Sequence, residues 1–298
     1  MEGAGAGAGG ALMTDTAATD AGALASGKSH AGENFPVASF IIKRPHRAVI
    51  MAFYRFARRA DDIADHASAP DETKLDLLAA MEAGLAGAGE GDPVAAALAA
   101  ELDARGLGIE HPLDLLAAFR QDVSKRRYAD WRELMDYCRY SAAPVGRLVL
   151  DVHGESRETW PANDALCAAL QVINHLQDCA EDYRALDRVY LPLDALASDG
   201  AAVEDLAGPA ATPGLRRTIR NLAARTGALL DQARPLARQI RDGRLALEVA
   251  VIQRLAESLT RRLSRADPLS ERVHHSKIET LVQVALGLKD RFIPRVAA

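Results

Sequence analysis

Residues 53–67 read FYRFARRADDIADHA and place three aspartates on a segment with the apolar spacing of a buried helix. Intervals of four, three and four residues place four side chains on one helix face: Tyr54, Arg58, Asp61 and Asp65. Asp62 lies beside this stripe. Because an ionised carboxylate is rarely buried without a partner, we expect arginines or metal ions to neutralise these groups.

A second polar stripe occupies residues 171–182, QVINHLQDCAED. Intervals of three, four and four residues place four side chains on one helix face: Gln171, Asn174, Asp178 and Asp182. Either stripe alone is typical of a solvated helix surface, but two of them in apolar surroundings favour a common site. Mg²⁺ prefers oxygen ligands and commonly joins carboxylates to substrate phosphates. The two stripes therefore predict a Mg²⁺–diphosphate site in a dry helical cavity.

Helical periodicity runs through almost the whole chain from Ala48 onward, whereas alternating β-branched runs and hairpin turns are missing. The 298 residues, 49% of them hydrophobic, suffice for one large core. Proline and glycine breaks divide the chain into helices predicted near 46–67, 72–86, 93–105, 112–127, 130–153, 157–186, 213–233, 236–264 and 276–290. We predict one all-α bundle over residues 32–298, after a disordered low-complexity tail over residues 1–31.

Charge and hydropathy restrict the partners and the location of the protein. A formal net charge of −5 gives no electrostatic reason to expect nucleic acid as a partner. No run reaches the roughly 18 apolar residues of a membrane span, and the pattern indicates a cytoplasmic protein. The amphipathic helix at 276–290 favours packing on the bundle, with contact with the inner face of the membrane as the alternative. His66, His153 and His175 lack metal-ligand spacing, which argues against metal binding there.

Three motifs together resemble the squalene/phytoene synthase family: YRFARRADDIAD at 54–65, YCRYSAAPVG at 137–146, and LQVINHLQDCAEDYRALDRVYLP at 170–192. They occur in the order typical of that family, and the resemblance covers about residues 33–290. It implies a helical bundle of the isoprenoid synthase type with a central cavity. The implied substrate is an isoprenoid diphosphate, and the implied cofactor is Mg²⁺, with Mn²⁺ as a substitute.

Within this family the chain most resembles the hopanoid-pathway branch, the hydroxysqualene synthases. The similarity lies in ENFPVASF at 33–40, SAAPVGRLVLDVHG at 141–154, and Gln177, where relatives that make phytoene or squalene usually carry arginine. The branch implies Mg²⁺-dependent ionisation of presqualene diphosphate, rearrangement and capture by water without NADPH. One alternative is a prenyltransferase that condenses two farnesyl diphosphates head to head into presqualene diphosphate, squalene or dehydrosqualene. The other is a non-catalytic helical assembly factor.

The resemblance also implies roles for individual residues. The Mg²⁺ ligands would be Asp61, Asp65, Asn174, Asp178 and Asp182. The catalytic side chains would be Tyr54, Arg58, Tyr137, Gln171 and Asn174. The substrate would be contacted by Phe35, Arg58, Asp62, Asp122, Ser141 and Gln177. We expect transient contacts with the membrane surface and with other squalene-pathway enzymes, because the substrate is a water-insoluble isoprenoid.

Structural explanations remain open for several of these residues. Arg58 could pair with Asp62 one turn away on the same helix. Asp122 could form a salt bridge with Lys125 or Arg126. Tyr54 could be an ordinary core tyrosine, and Phe35 could pack at a helix entry. Four basic residues could either contact the diphosphate or form a basic surface patch: Lys125, Arg126, Arg127 and Arg188.

Overall fold

The structure is a computed structural model that describes residues 43–275 apart from residues 88 and 90. Its α-helices are α1 (Arg44–Ala64), α2 (Asp71–Ala86), α3 (Pro93–Asp103), α4 (Glu110–Ser124), α5 (Trp131–Ser141), α6 (Ala143–Val152), α7 (Trp160–Gln177), α8 (Cys179–Leu186), α9 (Leu193–Ser198), α10 (Pro213–Ala233), α11 (Leu236–Gln239) and α12 (Gly243–Leu263). Two short 3₁₀ helices cover Arg157–Thr159 and Val203–Ala207. In this described part, strand-like pairing is limited to a single bridge between Arg127 and Val189. The all-α prediction is confirmed.

Several predictions lie outside the described residues. They concern the tail over residues 1–31, Phe35, and the helix at 276–290. Among the helices of residues 43–275, none combines the length and the apolar character needed to cross a bilayer.

Helix ends follow the expected punctuation. Asp92 caps α3, because its carboxylate accepts hydrogen bonds from the backbone N–H groups of Val94 (2.9 Å) and Ala95 (3.2 Å). Pro93 follows as the first helical residue, where its missing N–H costs nothing. Asp130 and Asp242 cap α5 and α12 in the same way.

Three helices were predicted too long, and the structure interrupts those over 130–153, 157–186 and 236–264. Pro144 lies at the start of α6 and cannot donate the hydrogen bond that would continue α5. Asp178, with φ −103° and ψ 8°, bends the chain between α7 and α8, and aspartate is a weak helix former. The helix predicted over 236–264 is interrupted before Asp242, because Asp242 is the N-cap of α12, which begins at Gly243.

The buried side chains form two apolar clusters. The first cluster fills the space among α1, α2, α3 and α4 and is closed by Leu148 and Val152 of α6. The second surrounds α7 and takes in α5, α10 and α12. Phe56 and Ile63 anchor α1 in the first cluster, and Ile173 anchors α7 in the second; all three are fully buried. Helices α1 and α7 carry the acidic stripes, so the seam between the clusters determines where the stripes meet.

Candidate active site

A cavity of about 260 Å³ lies at this seam, and elements of both clusters line it. Nine of the residues predicted for the site are among its lining: Asp61, Asp65, Asp122, Tyr137, Ser141, Gln171, Asn174, Asp178 and Asp182. The remaining lining residues are Leu115, Ala118, Phe119, His175, Leu186, Arg188 and Tyr190. The two acidic stripes therefore face a common cavity, as their spacing predicts.

Two arginines compensate the carboxylates of α1. Arg58 contacts Asp61 at 3.2 Å and Asp62 at 2.8 Å, so the helical pair that was left open is present. Arg188 forms an ion pair with Asp65 at 2.5 Å and donates to the Ala64 carbonyl at 3.1 Å. Arg188 is buried, which opposes its charge, but the carboxylate of Asp65 keeps its pKa above the ordinary arginine value.

The second acidic group surrounds the bend between α7 and α8. Asn174 lies in the last turn of α7, Asp178 at the bend, and Asp182 in the first turn of α8. Helical hydrogen bonding continues across the bend, from Asp178 N–H to the Asn174 carbonyl (2.9 Å) and from Asp182 N–H to the Asp178 carbonyl (2.8 Å). The three side chains consequently still share the cavity although the predicted single helix is broken.

The donor set of this cavity suits Mg²⁺. It offers oxygen from four carboxylates, Asp61, Asp65, Asp178 and Asp182, and from the amide of Asn174. Hard divalent cations prefer such oxygen donors, and Mg²⁺ in particular uses one or two carboxylates together with water and phosphate oxygens. The residues on both sides of the cavity therefore fit the cation that the resemblance implies.

Asp122 forms the centre of a buried hydroxyl network on the cavity wall. Its two carboxylate oxygens accept hydrogen bonds from Tyr137 (2.8 Å) and Tyr190 (3.1 Å). Burial raises the pKa of Asp122 to about 6, although Arg188 and the two hydroxyls oppose the shift. The suggested salt bridge is wrong, because Lys125 pairs with Glu133 and Arg126 donates to the Leu186 carbonyl at 2.5 Å.

His175 was not predicted for the site, yet it lines the cavity. Its ring stacks on Tyr190 with centroids 3.6 Å apart and planes 12° apart. One ring nitrogen lies 3.1 Å from the amide nitrogen of Gln171, one helical turn earlier. Burial and the charge of Arg188 lower the pKa of His175 to about 3, so its imidazole is neutral at neutral pH. Its spacing of four from Gln171 was the available signal.

Ser141 offers the cavity an unused hydroxyl. Its oxygen is buried and has no hydrogen-bond partner within the described residues. A buried hydroxyl usually has a partner, and this one lines the same wall as Tyr137 and Asp122. The hydroxyl is therefore available to a polar group of a bound molecule.

Four predicted residues lie outside the cavity lining: Tyr54, Arg58, Asp62 and Gln177. Tyr54 is half-buried on α1, and Arg58 and Asp62 form the pair described above. Gln177 is buried and its amide donates to the backbone carbonyl of Val273. The resemblance implied that Gln177 contacts the substrate. In the structure Gln177 does not line the cavity, because its amide is directed at the segment after α12.

Comparisons with known proteins agree with this geometry. The family model for squalene/phytoene synthase matches residues 28–279. A hydroxysqualene synthase of Rhodopseudomonas palustris is 56% identical over 264 residues, which cover 89% of this chain and 90% of that protein. A hydroxysqualene synthase of Zymomonas mobilis is 55% identical over 264 residues, covering 88% and 89%. The crystal structure of a squalene synthase from Alicyclobacillus acidocaldarius is 35% identical, with a TM-score of 0.69, and the match covers 82% of this chain and 92% of that one.

The matched segment includes both acidic stripes, the whole cavity lining and all twelve α-helices of the described part. Members of the matched family act on isoprenoid diphosphates and generally depend on Mg²⁺, which is the chemistry that the oxygen donors of the cavity support. On the evidence of the cavity, the fold and these matches, the chain belongs to the squalene/phytoene synthase family.

Proposed function

We propose that the protein is a hydroxysqualene synthase, which converts presqualene diphosphate and water into hydroxysqualene and diphosphate. The observation that carries this proposal is the 56% and 55% identity to two proteins of that name over nearly nine tenths of the chain. The cavity supports it independently, because acidic oxygen donors, aromatic rings and a neutral polar pair line the same space.

The acidic residues are proposed to hold Mg²⁺ with the diphosphate. Asp61 and Asp65 would serve from α1, and Asn174, Asp178 and Asp182 from α7 and α8. When bound, Mg²⁺ neutralises charge on the diphosphate and makes it a better leaving group. Mn²⁺ is an alternative cation, because it accepts similar oxygen ligands. Arg188, already buried beside Asp65, adds fixed positive charge at this end of the cavity.

The bonds in this reaction balance without a reductant. The C–O bond to the diphosphate breaks and its electron pair leaves with the diphosphate. The resulting cyclopropylcarbinyl cation rearranges by ring opening to an allylic cation. Water then forms the new C–O bond, and the proton that it loses is taken up by the diphosphate. NADPH is not required, because no hydride is transferred.

Aromatic rings are proposed to shield the cation. Tyr137 and Tyr190 line the cavity with centroids 5.5 Å apart, and His175 covers Tyr190. Tyr128, which does not line the cavity, packs on both tyrosines at 5.3 and 5.6 Å. The negative face of such rings favours a nearby cation, and their bulk excludes competing water. The hydroxyls of Tyr137 and Tyr190 are held by Asp122, so the rings are fixed before the substrate binds.

Gln171 and His175 are proposed to hold the capturing water. They are 3.1 Å apart and line the cavity, and the imidazole is neutral at neutral pH. An ordered water in a dry pocket needs several polar partners, and an amide beside a neutral imidazole provides both donors and acceptors. Gln171 and His175 line the cavity, whereas Gln177 does not, and the amide of Gln177 donates instead to the Val273 carbonyl.

Other features of the protein remain part of the proposal. We infer that residues 32–298 form one isoprenoid synthase domain after the tail over residues 1–31. We infer a cytoplasmic protein that visits the inner face of the membrane and contacts neighbouring squalene-pathway enzymes, because substrate and product are water-insoluble. The proposed membrane contact is peripheral.

The deciding experiment is product analysis after incubation with presqualene diphosphate and Mg²⁺, without nicotinamide, in water enriched in heavy oxygen. We expect an alcohol that carries one heavy oxygen atom, with release of one diphosphate. Replacing His175 with Phe, with Gln171→Leu as a companion, should divert product from the alcohol to dehydrated hydrocarbons. Consumption of farnesyl diphosphate alone, or a hydrocarbon formed only with NADPH, would favour the prenyltransferase alternative and contradict the proposal. Absence of turnover with either substrate would favour the assembly factor.

A further inference from the structure

Two imidazoles and a carboxylate meet at the end of the bundle where α1 begins. His46 lies in the first turn of α1, His153 ends α6, and Asp242 caps α12. One ligand atom from each of the three lies within 4.8 Å of the others, and the two ring centroids are 4.4 Å apart. None of the three lines the cavity of the proposed reaction. The cluster is therefore a separate feature of the molecule.

Backbone contacts fix two of these groups. One nitrogen of the His153 ring, Nδ1, lies 2.8 Å from the Val149 carbonyl and donates to it, which leaves Nε2 with a lone pair. In metal sites a second hydrogen bond of this kind orients the ligating histidine. Asp242 is held because Oδ1 caps α12 and its own N–H donates to the buried Glu155 at 2.8 Å. Its other oxygen, Oδ2, is directed at Lys43, 2.7 Å away.

The ligand types select a class of cation. Two imidazole nitrogens and one carboxylate oxygen form a donor set typical of Zn²⁺, Co²⁺ and Ni²⁺, whereas Mg²⁺ prefers oxygen alone. We propose that His46, His153 and Asp242 form a surface binding site for a transition-metal dication of the Zn²⁺ class, distinct from the oxygen-lined cavity. The ligand atoms, now within 4.8 Å of one another, would have to approach by up to about 1.4 Å, since ligand atoms around tetrahedral Zn²⁺ at 2.0–2.1 Å lie roughly 3.4 Å apart.

Lys43 pairs with one of the three proposed ligands, Asp242, in the described structure. Its ammonium pairs with Asp242, and its side chain is half exposed, so it can move into solvent when a dication arrives. The metal would then join the beginning of α1 to the end of α6 and the beginning of α12. Such a link stabilises the folded chain, because the three groups are brought together only by folding. The spacing argument against metal at His153 does not consider this cluster, because the ligands come from three distant elements.

The test is Zn²⁺ titration of the full chain by calorimetry with Mg²⁺ in excess, followed by thermal unfolding. We expect one Zn²⁺ per chain and, at about 100 times the dissociation constant, a rise in Tm of about 5 °C. His46→Gln and His153→Gln should each lower the affinity for Zn²⁺ at least about tenfold and remove the rise in Tm. Co²⁺ should report the site through visible absorption that Zn²⁺ displaces.

Two controls make the result specific. Lys43→Met should raise the affinity for Zn²⁺, because it removes the competing cation, and His66→Gln should leave it unchanged. Product formation in Mg²⁺ should stay at the wild-type level in His46→Gln and His153→Gln, and their circular dichroism should match the wild type. Equal Zn²⁺ affinity in wild type and both histidine variants, or no Zn²⁺ binding in excess Mg²⁺, would overturn the proposal. Neither result depends on the identity of the substrate.

Discussion

The two acidic regions of the cavity carry the same number of aspartates but are organised differently. At α1 the carboxylates follow one unbroken helix, with Asp61 inside it and Asp65 as its C-terminal cap, and they pair with Arg58 and Arg188, respectively. Around α7 and α8 the chain bends at Asp178. The cavity-lining neighbours that precede the bend on α7 are neutral: Gln171, Asn174 and His175.

This difference separates two ways of holding negative charge at a seam between apolar clusters. Arginine pairing allows α1 to bring its aspartates to the cavity when no dication is bound, because the charge is already compensated. The second region positions its aspartates through the backbone, with hydrogen bonds that continue across the bend at Asp178. A cation bound in the cavity would therefore contact aspartates of α1 that already have arginine partners, and aspartates of α7 and α8 that are positioned by a helix bend.

The largest expected effect comes from removing one carboxylate on each side. Asp61→Asn and Asp178→Asn should each lower kcat/KM for presqualene diphosphate about 10³-fold or more, because both sides are proposed to supply metal ligands. The helical circular dichroism and Tm should hold, or rise as repulsion among aspartates falls. Steady-state kinetics over a Mg²⁺ series would measure the loss. Survival of activity in both variants would contradict the metal assignment.

The ion pair between Arg188 and Asp65 should give the largest effect on stability. Both side chains are nearly buried, 7% and 12% exposed, and removing one charge leaves the other desolvated. Arg188→Met should therefore lower the free energy of unfolding by about 3 kcal/mol without Mg²⁺. Denaturant unfolding measures this change.

A double-mutant cycle sharpens the test. Adding Asp65→Asn to Arg188→Met should restore part of the lost stability, because neither buried charge then lacks its partner. Additive losses in the double variant would show that the pairing does not organise this side of the cavity.

Much of α1 was predictable, and the reason is local. Its apolar and acidic positions keep helical period over 21 residues, and Pro45 lies at its start. The aspartate stripe and its cavity followed from that periodicity. The same reasoning failed at Asp178, because no proline or glycine signals the bend and hydrogen bonding continues on both sides of it.

Tertiary contacts account for the rest of what the sequence could not predict. Arg188 meets Asp65 across 123 positions, and Gln177 meets Val273 across 96. No periodicity connects such distant positions, so the pairing of Asp65 and the orientation of Gln177 depend on how the helices pack. His175 was passed over because metal-ligand spacing was sought, whereas in the structure its ring lines the cavity and stacks on Tyr190.

Asp122 provides a third kind of compensation, by hydroxyls, and predicts a pH dependence. Burial raises its pKa to about 6, whereas an unfolded aspartate ionises near pH 4. Between these values the folded chain binds more protons, so this group's contribution to stability falls as pH rises, by at most about 3 kcal/mol. Urea unfolding of wild type and Asp122→Asn between about pH 4 and pH 7 should show the variant gaining relative stability with pH. A constant difference would contradict the raised pKa.

Arg58 should show the smallest effect and completes the comparison with Arg188. It pairs with Asp61 and Asp62, but its side chain is 26% exposed, against 7% for Arg188, and the side chains of its partners are 35% and 15% exposed. Solvent screens such pairs, so Arg58→Met should lower the free energy of unfolding by about 0.5 kcal/mol, and less in high salt. Parallel denaturant unfolding of Arg58→Met and Arg188→Met at low and high salt would measure both. Equal losses in the two variants would mean that burial does not distinguish the arginines. A much smaller, salt-sensitive loss of unfolding free energy in Arg58→Met would identify Arg188 as the arginine that contributes most to neutralising the aspartates at α1.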